Sequence, residues 1–380
     1  MKICTIICEY NPFHNGHLYQ LREAKKRSGT DTLLCLMSGN FVQRGESAVC
    51  DKFTRAKHAI LGGADVVIEL PTLFATSNAE LFAKGAISLL SAIPDATTLS
   101  FGAEIADKQA FLSTANTLLN EPLEVSNTIK RNVALGMSYA KARADAWSEI
   151  LPSALLQSPN SILGIEYTKA ILESRSSLDI LPIERVGSGY KDTAMQTIYS
   201  SATAIRTALA NQTDCKGQVP DFVYPDLPKE LETTLDALEK YAILSKAKEE
   251  IAKVLDCTEG LENAFKRAAV EKELLYKQLT SPRYTASRIR RIALQNLLNI
   301  DKDLILEALH SPLYLRVLAV NKKRSDLFSA LSQSGLPILA RAHDEDCLTG
   351  VAKKVYEIDL FAEKIYTLPY ENRKNKSIFI

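Results

Sequence analysis

A short apolar run, Ile3–Cys8, leads directly into Glu9-Tyr10-Asn11-Pro12-Phe13-His14-Asn15-Gly16-His17, and the pattern Leu18–Arg27 beyond it is helical. Strand, tight connection and helix in that order form the opening half of a βαβ unit. Pro12 sets its own φ and biases Asn11 towards extended backbone, so the chain leaves the strand by a defined path. Gly16 permits close backbone approach where the new helix exposes unpaired N–H groups, a natural anion seat. His14 and His17 lie three residues apart across that glycine, so at a helix start both would face one phosphate group. By itself a His-x-x-His pair more often caps or packs than binds. A metal reading is poorer, because no Cys/His cluster nearby supplies further ligands.

Further apolar runs read as strands: Thr32–Met37, Val66–Leu70, Thr98–Phe101 and Asp179–Val186, with the last leading into Gly187-Ser188-Gly189. Open α/β sheets bind ligands at the carboxyl ends of their strands. The polar loop Ser38–Val49, which carries Arg44, is therefore a candidate lid. Asp51 is a good N-cap for a helix Lys52–Leu61, and Lys52 and Arg55 in its first turns read equally as solvated charges or phosphate ligands. Gly102 at the end of its strand suggests a partner lying flat against the backbone, although a plain turn also fits. Helical patterns over about 106–157 form an insertion, mildly basic through Lys130, Arg131, Lys141 and Arg143. Ser158-Pro159-Asn160 then opens another helix. Ser201-Ala202-Thr203-Ala204-Ile205-Arg206 offers hydroxyls, helix-start N–H groups and a guanidinium fork, again suited to phosphate.

Asn11-Pro12-Phe13-His14-Asn15-Gly16-His17 resembles the signature of the HxGH nucleotidyltransferase superfamily, and the Ser-x-Thr-x-x-Arg element resembles that group's second phosphate-binding helix start. The wider pattern, Ile7–His17, then Met37-Ser38-Gly39-Asn40-Phe41-Val42-Gln43-Arg44-Gly45-Glu46, then Gly63-Ala64-Asp65-Val66-Val67-Ile68-Glu69-Leu70-Pro71, is similar to the tRNA(Met) cytidine acetate ligase family over essentially the whole chain. The resemblance implies an α/β fold, a Rossmann-like parallel sheet with a helical insertion and a helical C-terminal region. It implies ATP held by Ile7, Cys8, Glu9, Tyr10, Asn11, Pro12, Phe13, His14, Asn15, Gly16, His17, Leu18, Tyr19 and Gln20, together with Gly102, Asn160, Arg185, Val186, Ser201, Thr203 and Arg206. His14, His17 and Arg206 would be catalytic, and Mg²⁺ is expected with the nucleotide rather than in a protein cage. Acetate would become acetyl-adenylate, and its acetyl group would pass to N4 of the wobble cytidine of elongator tRNA(Met).

Residues 1–219 are thus expected to form the catalytic domain, and 220–380 a helical, partly basic tRNA-binding region. Pro220, Pro225 and Pro228 mark the junction. No acid occurs from Leu274 to Ile300, whereas Lys277, Arg283, Arg288, Arg290 and Arg291 do. On the helix after Thr285, Arg288, Arg291 and Gln295 share one face and Ile289, Ala293 and Leu297 another. Contact with a phosphate backbone accounts for that imbalance. Arg373, Lys374 and Lys376 extend it. With 46 basic and 45 acidic residues the net charge is near zero, so any polyanion must be held by such local patches. Seven cysteines without a Cys-x-x-Cys pair suit a reducing cytoplasm. There is no membrane-length apolar run and no signal-peptide layout, and no protein partner is implied. Two rival readings stand beside this one. A small-molecule adenylyltransferase would leave the acid-free stretch unexplained, and a non-catalytic RNA-binding protein would have no use for an intact His14, Gly16, His17 and Arg206.

Overall fold

The computed structural model of the chain describes residues 1–137, 139–148, 150–151, 155, 158–186, 198–229, 235–368 and 378–379. Gly187-Ser188-Gly189, the start of the expected helix at Glu230, the side chains of Lys141 and Arg143, and Arg373, Lys374 and Lys376 lie outside the described residues.

The central sheet is built on β1 (Ile3–Cys8), β2 (Thr32–Ser38), β5 (Val66–Leu70), β6 (Ala96–Ala103), β7 (Asp179–Glu184) and β8 (Leu315–Val320), in the order β8-β5-β2-β1-β6-β7. All neighbours are parallel except β5 and β8. This is the expected Rossmann-like arrangement, with the strand order reversing at β1 and β6. Every residue of β1, β2 and β5 is buried. Ile3 and Ile7 feed the core on one face, and Cys4, Ile6 and Cys8 the core on the other. Burial on both faces explains why these strands read as continuous apolar runs without alternation.

The region after residue 220 is not purely helical. β8 enters the main sheet antiparallel to β5, pairing Val317 with Ile68. The long helix Gly350–Thr367 also reaches back to the catalytic half, where its Asp359 accepts from Thr72 N at 2.7 Å. Its Glu363 joins Arg316, Glu69 and the buried Lys52, whose Nζ lies 2.6 Å from Glu69. The two halves are therefore laced together through buried charge.

Lys52 and Arg55 settle as structural groups. Arg55 is wholly buried and donates to Cys50 O (2.9 Å), Glu9 O (2.5 Å), Ser38 O (3.1 Å) and Gly39 O. One guanidinium thus satisfies the carbonyls where β1 and β2 end, at the edge that carries the site.

Candidate active site

Helix α1 (Asn15–Ser28) begins three residues before the expected start, which makes His14 its N-cap and puts His17 in the first turn. Tyr10, at φ 49°, turns the chain out of β1. The imidazoles of His14 and His17 stack with centroids 3.6 Å apart. His14 N donates to His17 Nδ1 at 3.3 Å. A neutral His17 accepting at Nδ1 carries its proton on Nε2. Burial holds both rings neutral, with Arg185 and Arg206 adding to the effect at His14 and His14 and Arg185 at His17; His14 falls to about 3. His14 Nδ1 is buried with no hydrogen-bond partner among the described residues.

Gly16 is required by close approach. A Cβ there would sit 2.9 Å from His14 Cε1 and 3.0 Å from His14 Nδ1. Only a residue without a side chain lets the His14 ring lie over the first turn.

These rings form one wall of a cleft of about 180 Å³ at the carboxyl ends of β1 and β6. Ile7, Cys8, Glu9, Tyr10, Asn11, Gln20, Gly102, Asn160, Arg185, Ser201, Thr203 and Arg206 line it as well. A small neighbouring recess of about 30 Å³ brings Gly16, Tyr19 and Val186 against the same histidines. Pro12, Phe13, Asn15 and Leu18 do not line either space. Phe13 is fully buried at 4.9 Å from Tyr10, Leu18 packs on the core behind, and the Asn15 amide donates to Ile198 O and Gly217 O at 2.9 Å each. They brace the turn from the rear.

The second element closes the opposite wall. Ser201 caps the helix Ala202–Ala210, accepting from Ala204 N at 3.1 Å. Arg206 donates to Asn11 O at 2.9 Å and to Thr203 Oγ1 at 3.3 Å, tying the two motifs into one unit. A Cβ at Gly102 would meet only Arg185 Cγ, at 3.5 Å, so no protein contact demands the glycine and its smoothness serves the cleft. Asn160 Nδ2 and Ser161 Oγ donate to Glu104 at 3.1 and 2.9 Å. Burial raises the Glu104 carboxyl, but the Ser158, Asn160 and Ser161 side chains beside it outweigh burial and hold it below the usual range.

Residues 38–49 form an anchored hairpin instead of a loose lid. β3 (Phe41–Val42) pairs with β4 (Glu46–Ser47); Gln43 N donates to Glu9 Oε1 at 2.7 Å, and Tyr366 OH donates to Ala48 O at 2.9 Å. Its tip bears on the helix Ala286–Leu297, where a Cβ on Gly45, at φ +72°, would meet Arg291 N at 2.5 Å. Val42, Gln43, Arg44 and Glu46 line the cleft, as do Phe82, Phe101, Leu163 and Tyr167. Sequence reasoning missed the aromatic trio, because each ring falls on an ordinary apolar helix or strand position.

The acid-free stretch looks different in space. Arg291 is buried and pairs with Asp256 at 3.3 Å. Arg288 donates to Asp256 O (2.7 Å) and Thr258 Oγ1 (2.9 Å), Arg290 pairs with Glu46, and Arg283 pairs with Glu259 at 2.5 Å. Gln295, on the expected basic face, is buried and donates to Thr76 O at 2.8 Å. The acids missing from the local sequence arrive from elsewhere in the chain, and this face is largely an internal seam. Lys277 and Arg283 remain exposed.

Among the described residues no helix is long and apolar enough to cross a membrane, and no three His, Cys, Asp or Glu side chains are grouped to hold a metal. The family model described as HIGH Nucleotidyl Transferase matches residues 1–378. A protein named tRNA(Met) cytidine acetate ligase from Thermoanaerobacter sp. (strain X514) is 38% identical, covering 98% of this chain and 96% of its own. Its namesake from Thermosipho melanesiensis is 35% identical over 99% and 96%. Thermotoga maritima TmcAL in its apo form superposes with a TM-score of 0.89 at 29% identity over the full length of both chains. The same protein with alpha-thio ATP bound gives 0.87 at 30% identity, over 100% and 99%. By sequence and by fold alike, the chain belongs to the HIGH nucleotidyl transferase family and, within it, to the tRNA(Met) cytidine acetate ligase family.

Proposed function

We propose that the chain activates acetate with ATP and passes the acetyl group to N4 of the wobble cytidine of elongator tRNA(Met). The observation that carries the reading is one cleft walled by two stacked, neutral imidazoles and by Arg206, between two helix starts. Full-length relatives of that name, and a solved neighbour with an ATP analogue bound, support it.

The chemistry follows from the donors. An acetate oxygen attacks the α-phosphorus, an O–P bond forms, and the bond to the β-phosphate oxygen breaks as pyrophosphate leaves. Both reactants are anions, so the protein must screen their repulsion and receive charge on the leaving group. Neutral imidazoles supply N–H donors without a proton to lose, and Arg206 supplies fixed positive charge. His14 and His17 stabilise the transition state, and neither is a nucleophile. A Mg²⁺ ion would be held through the oxygens of the triphosphate, because the N–H donors of this wall bind phosphate oxygens and do not ligate a hard cation. Glu9 and Glu46, the carboxylates at the wall, are already engaged by Gln43 N and Arg290.

On this reading residues 1–219 hold the nucleotide and 220–380 receive tRNA. Lys277 and Arg283 meet phosphates directly; Arg288, Arg290 and Arg291 shape the surface from within. Acetate-dependent exchange of labelled pyrophosphate into ATP, with no tRNA present, tests the first step. Exchange that ignores acetate but responds to another small acceptor would favour an ordinary adenylyltransferase.

A further inference from the structure

A second, larger groove adjoins the nucleotide cleft. Its volume is about 860 Å³, within the range of small-molecule sites. Arg44, Glu46, Thr203 and Arg206 line both spaces, so the two communicate across a shared wall. Glu239, on the helix Leu235–Ser245, faces this groove with 7% of its surface exposed. No hydrogen bond or ion pair engages its carboxyl among the described residues. A carboxyl this buried normally has partners in the protein.

We propose that this groove seats the acceptor base, and that Glu239 accepts a hydrogen bond from the base's exocyclic amine and takes the proton from it as it attacks. The inference rests on the acetyl-transfer reading above. An enzyme acting on a base edge needs that base unstacked and read along its Watson–Crick side. Cytosine presents an N4 amine beside the N3 acceptor; uracil presents a carbonyl beside an N–H. An ionised carboxyl accepts from the N4 amine and repels the carbonyl that uracil carries at the same position. In the transfer the N4–carbonyl carbon bond forms, the carbonyl carbon–phosphate oxygen bond breaks, and AMP leaves with that electron pair. One N4 proton passes to the Glu239 carboxylate.

The surroundings favour that task. Burial first, and then Asp236, push the Glu239 carboxyl up to about 8, with Arg290 opposing. Asp236 is itself engaged by Lys240 at 2.8 Å and by Leu275 N at 2.8 Å. Arg290 is paired with Glu46 and lies 3.8 Å over the Tyr276 ring. Neither neutralises Glu239, which makes it a stronger proton acceptor than an ordinary carboxylate and brings it close to the working pH.

The test measures two rates on the full chain: acetate-dependent ATP–pyrophosphate exchange without tRNA, and labelled acetyl transfer from acetate to elongator tRNA(Met). Glu239→Gln should keep exchange within about twofold and lose transfer by roughly 10² or more. Thr207→Trp, an exposed groove-wall position on a different helix, should fill the groove and give the same split. Transfer by Glu239→Gln within threefold of the natural chain overturns the proposal. So does an equal loss of both rates in Glu239→Gln with no loss of transfer in Thr207→Trp. Absence of exchange in the natural chain would instead sink the function proposed above and is distinguishable from either result.

Discussion

Gly16→Ala separates stability from chemistry in the first turn of α1. The added methyl would lie 2.9 Å from His14 Cε1, so the ring must swing away. Moving the far end of one side chain costs the fold little. Meanwhile alanine in a helix is favoured over glycine by about 1 kcal/mol. The melting temperature should therefore hold or rise slightly. The displaced His14 leaves its 3.6 Å stack on His17, and the cleft loses a donor aimed at the phosphates. Removing one such donor typically costs roughly 10²–10³ in rate, about 3 to 4 kcal/mol. Acetate-dependent ATP–pyrophosphate exchange reads the rate, and calorimetry reads the stability. Exchange within threefold of the natural protein would refute the reasoning, as would a fall in stability large enough to account for the lost rate.

Three other outcomes follow from the same geometry. Folding lowers the His14 pKa, so its contribution to stability is complete above the unfolded value near 6.5 and is lost as pH falls towards about 3. Melts from pH 7.5 to 5 should show a loss of about 2 kcal/mol from His14 alone, and His14→Gln should flatten that slope; an unchanged slope contradicts the assignment. Arg55→Met strands four carbonyls, three of them at the ends of β1 and β2 and the fourth at Cys50, and at roughly 1–3 kcal/mol each denaturant unfolding should show a loss of at least about 4 kcal/mol; a near-neutral change would mean that those carbonyls find other partners. Lys277→Ala with Arg283→Ala should weaken tRNA binding and reduce its salt slope by about one to two while leaving exchange intact, and an unchanged slope would move the tRNA surface elsewhere.

What could be read from the chain alone follows the range of the forces involved. β1, the turn and α1 are local: an apolar run, a proline, a glycine and two histidines specify them within 28 residues, and the pair stands where the spacing puts it. The Ser201–Arg206 element was legible for the same reason. β8 was not, because Leu315-Arg316-Val317-Leu318-Ala319-Val320 becomes a strand only by pairing with β5, some 250 positions earlier. Arg316 within it reads as exposed until Glu69 and Glu363 are brought alongside. Likewise Arg288 and Arg291 share a face as the helical period requires, but the period cannot say that Asp256 and Thr258 lie against it. Charge counted along the sequence misjudges charge in space wherever the partner is distant. Lys52, Arg55 and the Ser38–Val49 loop teach the same lesson, since their burial is decided by segments that local patterning does not see.

The most direct trial supplies the protein with ATP, labelled acetate and total tRNA, then digests the tRNA and locates the label by nucleoside analysis. The account predicts label in N4-acetylcytidine, dependent on ATP, accompanied by pyrophosphate release and absent with His17→Ala. Label that appears without ATP, or persists undiminished in His17→Ala, would contradict the cleft as the place where acetate is activated.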